Sequence, residues 1–166
     1  MASDGQRPGH RARRAERGFT YLELIATAAI LMILASAILP TARVMRIRNK
    51  EIELRRELRT LRNAIDRYKL AVDQGKIGGT DVKLGSEGYP PDLETLVEGV
   101  SQVGKLDSKL KFLRRVPIDP MTGKAEWGMR CFQDDTDDES WCGENVYDVR
   151  SRSGGTALDG SKYGEW

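Results

Sequence analysis

The chain has 166 residues, 39% hydrophobic and 31% charged, with 27 Lys+Arg against 25 Asp+Glu and a formal net charge of +2. That is one domain's length, apolar enough to fold. Its single histidine, His10, lies in an arginine-rich leader-like segment, and its two cysteines stand eleven positions apart. Once that segment is removed, no histidine-dependent nucleophile or His-ligated zinc can be built, and two such cysteines make neither a four-thiolate site nor a CxxC pair. Neither a GxxxxGK[ST] loop nor a GxGxxG turn is present, so nucleotide binding has no motif to rest on.

The charge is distributed unevenly. Residues 1–18 carry five arginines against two acids, residues 43–72 carry ten Lys/Arg against four acids, and residues 73–166 carry twelve Lys/Arg against eighteen acids. Without the leader's excess the chain is formally −1, so its bulk charge does not call for nucleic acid as a partner.

In chain order, the leader is residues 1–18 and a membrane-spanning helix is predicted over 19–44. Those 26 residues hold one ionised side chain, Glu23, before Arg43. As a helix they span about 39 Å, enough to cross a bilayer. A soluble chain of this size lacks the partner surface to cover a helix that is apolar all round. Arginines flank the run on both sides, so charge counting leaves the orientation open. A signal-peptidase cut near Ser36-Ala37 would sever the longest element, which points instead to the junction Arg17-Gly18-Phe19, where Gly18 offers a protease unobstructed backbone.

Glu23 needs an explanation, because a carboxylate in hydrocarbon costs about 2–3 kcal/mol even on lenient insertion scales. Two readings stand. It is solvated at headgroup level, or it pairs with a positive group on a neighbouring copy, for which a newly cut amino terminus at Phe19 would serve.

Gly18-Phe19-Thr20-Tyr21-Leu22-Glu23, followed by the apolar run with Pro40, resembles the processing motif of type IV pilins and type II secretion pseudopilins. The resemblance implies that a prepilin peptidase cuts after Gly18 and methylates Phe19. It also implies that Glu23 guides assembly and that Pro40 marks a point where the helix kinks or loosens.

An amphipathic continuation is predicted over 45–75. Leu54, Leu58, Leu61, Ile65, Tyr68 and Val72 recur at steps of 4 and 3, one apolar stripe opposite a face of Arg55, Arg56, Glu57, Arg59, Arg62 and Arg67. The stripe would pack a C-terminal domain, or alternatively form a two-stranded coiled coil. Gly75, Gly78 and Gly79 would end a helix of about 55 residues.

The domain at 76–166 reads as short elements. Asp92 caps a helix from Leu93 to Val97 or slightly beyond, 112–120 is an extended loop fixed by two prolines, and 127–132 and 145–151 form two strands joined by an acidic loop. The fold class is therefore α+β: a long N-terminal helix packed on a small domain with one short helix and a small antiparallel sheet. Cys131 and Cys142 flank the acidic loop. In an extracytoplasmic domain a disulfide is expected, worth about 2–3 kcal/mol for its loop, with buried free thiols the alternative. Asp135, Asp137 and Glu139 alternate as calcium ligands could, although such a run is also an ordinary solvated loop.

The order of these elements, closing on Tyr163-Gly164-Glu165-Trp166, is similar to the major pseudopilin. That implies a non-enzymatic subunit of a homo-oligomeric helical filament, single-pass in the bacterial inner membrane with its domain in the periplasm. Its implied partners are the prepilin peptidase, an assembly platform with its ATPase, minor pseudopilins, and the secretion channel with its cargo. A fibre pilin for adhesion, motility or DNA uptake is the alternative. Major pseudopilins commonly hold calcium in the C-terminal loop. Here Arg152, Ser161 and Lys162 occupy the family's acidic positions, leaving Asp148 and Asp159 as candidate ligands, and Arg152 or Lys162 is expected to supply the missing positive charge by salt bridge. A carboxylate-pair hydrolase using Asp119 and Asp148 is the remaining reading.

Overall fold

A computed structural model describes residues 18–78, 82–83, 85–105, 108–135 and 140–166, with backbone alone at 37–40. The chain divides into two compact units, Met1–Ala42 and Arg43–Trp166. The main element is helix α1 (Tyr21–Asp73), 53 residues long and continuous through position 40. It begins where Thr20 accepts the Glu23 amide on its side-chain oxygen (3.2 Å) and the Leu24 amide on its carbonyl (3.1 Å). Thr20 is thus an N-cap, and Glu23 sits at the third helical position, the arrangement of a T-x-x-E capping sequence.

The helix ends on one glycine. Gly75 has φ +67°, its amide donates to Val72 O (2.8 Å), and the Lys76 amide donates to Ala71 O (2.9 Å). This pair of bonds satisfies the last carbonyls and requires a left-handed residue, which glycine adopts without a Cβ penalty. Gly79, also expected to act as a stop, lies outside the described residues.

In the second unit the expected stripe forms the core. Leu54, Leu58, Leu61, Ala64, Ile65 and Tyr68 of α1 are buried against Leu93, Leu96, Phe112, Leu113, Trp127, Val146, Val149 and Tyr163, while Val72 is only partly buried. Helix α2 (Leu93–Glu98) starts at Asp92, whose carboxylate accepts the Thr95 amide (2.7 Å) and hydroxyl (2.6 Å). Gly99 closes it at φ +80°, and a Cβ there would fall 2.9 Å from Leu110 O.

Two antiparallel pairs follow. β1 (Val100–Ser101) pairs with β2 (Lys109–Leu110), and β3 (Trp127–Arg130) pairs with β4 (Asp148–Ser151), with Trp127 opposite Ser151 and Arg130 opposite Asp148. The first pair is an addition to the single hairpin expected. The second is shorter than expected because, at the end next to its connecting loop, two side chains and a carbonyl from outside the pair take the backbone donors. Asp134 accepts the Cys131 amide (2.7 Å), Asn145 accepts the Phe132 amide (3.0 Å), and Val146 N turns to Pro90 O (2.8 Å).

The loop at 112–120 bends at 112, 114 and 115, runs without a bend only from 116 to 119, and is anchored at both ends. The amides of Phe112 and Leu113 both donate to Leu96 O, and Trp127 Nε1 donates to Pro117 O (2.9 Å). Asp119 is fully buried, accepting Met121 N (2.8 Å) and the Ser151 hydroxyl (2.6 Å), which ties the turn after the loop to β4. A carboxylate can be buried there because each oxygen has a donor.

Candidate functional site

The N-terminal segment is built from an extended stretch, a cap and an uncovered apolar helix. Gly18, Phe19 and Thr20 precede α1 and are exposed, and among the described residues other than its chain neighbour nothing lies within 4 Å of where a Gly18 Cβ would stand. Phe19 is 80% exposed. Glu23 is exposed in the first turn, where a carboxylate also complements the positive end of the helix dipole. The T-x-x-E spacing marks Thr20 as the cap, since its side chain takes the Glu23 amide. Pro40 lies within α1, and its side chain is outside the described region; the leader at 1–17 is likewise outside the described residues.

Helix α1 is long and apolar enough to cross a membrane, and none of its most apolar stretch is buried. Leu22, Ile30, Leu31, Met32, Ile33 and Leu34 all face outward. Such a surface is stable only in an apolar solvent or against other apolar helices.

The second candidate region joins β4, the C-terminal loop and α1. Asp148 Oδ1 accepts Arg62 Nε (2.7 Å) and the Val149 amide (2.8 Å), while Oδ2 faces Arg62 Nη2 (3.4 Å). Asp159 Oδ1 accepts the Ser161 amide (3.0 Å) and hydroxyl (2.6 Å), and Oδ2 accepts Arg55 Nη2 (3.3 Å). The Ser161 hydroxyl, then its amide, and then Arg55 hold the Asp159 carboxyl below its ordinary range.

The positive charge expected from Arg152 or Lys162 therefore comes from the helix instead. Arg152 lies toward Glu126 (3.9 Å), and Lys162 makes no ion pair among the described residues. Calcium takes six to eight oxygens, usually including several carboxylates. Each of these carboxylates already faces a guanidinium, so the pair does not fit a calcium site. The acidic-loop alternative involves Asp137 and Glu139, which lie outside the described residues.

Cys131 and Cys142 stand at disulfide distance, with Cα atoms 6.0 Å apart. Asp134 lies beside both sulfurs, but its Oδ2 is occupied by the Cys131 amide, and sulfurs bonded to each other are not thiolate ligands. Asn145 organises this corner and was missed from sequence. It is buried, with its side chain bridging Phe132 N (3.0 Å) and Gln133 Oε1 (2.7 Å) and its carbonyl accepting Trp141 Nε1 (2.7 Å). Asp119 and Asp148 are separately engaged, one by Ser151 and Met121, the other by Arg62. No family model, curated protein or solved structure matches the chain.

Proposed function

We propose that the chain is a structural subunit of a type II secretion pseudopilus, cut after Gly18 and methylated on Phe19 by a prepilin peptidase. The observation that carries this reading is an accessible Gly18-Phe19 junction leading directly into a capped, entirely uncovered apolar helix with one carboxylate, Glu23, in its first turn. The helix holds the subunit in the inner membrane with residues 43–166 in the periplasm, where the cysteine pair is oxidised.

Copies leave the bilayer by exchanging lipid for neighbouring apolar helices. Glu23 then loses water, and pairing with a neighbour's new amino terminus offsets that desolvation and sets the axial register. Work comes from the ATPase of the assembly platform, and the growing filament with its minor pseudopilins drives cargo through the outer-membrane channel.

Intact mass spectrometry of the protein from its native membrane tests this. The expected species begins at Phe19, carries one added methyl, and is two hydrogens lighter for the Cys131–Cys142 bond. A chain retaining residues 1–18 overturns the proposal. A processed chain found in long surface fibres, with secretion intact on its deletion, makes it a type IV pilin instead.

A further inference from the structure

The segment from 152 to 166 has almost no regular structure of its own, only the bridge between Thr156 and Lys162 and a 3-10 turn at Tyr163–Glu165. Such a loop must be fixed by cross-links or it frays. The links come from one face of α1. Glu51 Oε1 accepts the Leu158 amide (2.8 Å) and the Tyr163 hydroxyl (3.0 Å). Arg55 reaches Asp159 and places its guanidinium 4.1 Å from the centre of the Trp166 ring. Arg62 binds Asp148 and, through Nη2, the Val149 carbonyl (3.1 Å) and the Trp166 main-chain oxygen (3.0 Å). Positions 51, 55 and 62 fall within about 40° of one another around the helix and span about 16 Å along it.

Burial, and then the Glu51 carboxylate, hold the Tyr163 hydroxyl above its ordinary range, so it remains a donor. Trp166 packs edge-on against Tyr163 at 5.2 Å and donates its Nε1 to the Ser161 hydroxyl (2.7 Å). The two carboxylates best placed to recruit a divalent cation are thus neutralised by guanidinium groups, which supply positive charge and directional donors together.

We infer that Arg55 and Arg62 are resident cations of the C-terminal loop, so that Glu51, Arg55 and Arg62 clasp residues 148–166 to α1 without metal. The clasp rests on these contacts and not on the assignment to a secretion filament. Calcium is accordingly neither bound there nor needed for the domain's stability.

The test is thermal unfolding and amide hydrogen exchange of the full chain in detergent micelles, with chelator and with added calcium chloride. The expected result is the same Tm and the same exchange at Leu158 and Tyr163 in both. The double variant Arg55→Gln, Arg62→Gln is expected to exchange Leu158 at least about tenfold faster and to melt about 3–6 °C lower. If that variant does not fold, Arg55→Gln alone reads the same exchange from its more exposed position. A calcium-dependent rise in wild-type Tm, or unchanged exchange at Leu158 in the variants, overturns the inference.

Discussion

Residues 21–42 and residues 54–71 belong to the same helix, yet they use apolar side chains in opposite ways. In the first stretch Leu22, Leu24, Ile25, Ile30, Leu31, Ile33 and Leu34 are all exposed and none of the most apolar window is buried. In the second, Leu54, Leu58, Leu61, Ile65 and Tyr68 align on one side and are almost fully buried. Total hydrophobicity therefore does not say where a helix finds its partner. Angular distribution does, because an all-round apolar helix needs an apolar solvent, whereas a stripe needs one packed neighbour.

Large-to-small substitution separates the two regions most strongly. Leu61→Ala is expected to destabilise the second unit by about 2–5 kcal/mol in urea unfolding of the micelle-bound chain. Leu31→Ala should shift the same transition by less than about 0.5 kcal/mol, since its side chain is 65% exposed. Equal effects would mean that the distinction is wrong. Reducing Cys131–Cys142 is next in size, with an expected loss of about 2–3 kcal/mol read as a lower urea midpoint with dithiothreitol.

Asp119→Ala leaves the Ser151 hydroxyl and the Met121 amide without their acceptor, for an expected loss of about 1–3 kcal/mol in the same measurement. Thr20→Ala removes the cap of α1 and is expected to cost about 1 kcal/mol locally, seen as faster amide exchange at Glu23 without a change in the unfolding of the second unit.

The smallest effect is that of pH at Asp159. Its folded carboxyl is lowered by the Ser161 hydroxyl and amide and by Arg55, so its contribution is fully present above the unfolded value, about 3.9. It is lost as pH falls through the folded value. Because the group is exposed, the effect is a slight steepening of acid unfolding below about pH 4, which Asp159→Asn should remove.

What could be read from sequence follows the range of the forces involved. The stripe on α1 and the Asp92 cap are local patterns and appear where expected, whereas the 112–120 loop bends at 112, 114 and 115 before Pro117. The hairpin ends were overestimated because Asp134 and Asn145 divert backbone donors, which no alternation of residue types records. The β1–β2 pair, two residues long on each side, is too short for a period to register.

The cation for the C-terminal carboxylates was sought among near neighbours, Arg152 and Lys162. It comes instead from Arg62, 86 positions before Asp148, and from Arg55, 104 positions before Asp159. Both lie on a helix face so rich in charge that nothing in one sequence distinguishes them from a solvated surface. For the N-terminal segment, the structure adds the cap at Thr20.

The buried Asn145 gives the cystine corner a second, non-covalent tie. Its side chain holds the backbone just after Cys131, and its carbonyl holds the Trp141 indole, the residue just before Cys142. These hydrogen bonds therefore link the two cysteine-bearing segments in parallel with the sulfur–sulfur bond. A domain with that bond reduced would still have Asn145 as a polar tie between the segments that carry Cys131 and Cys142.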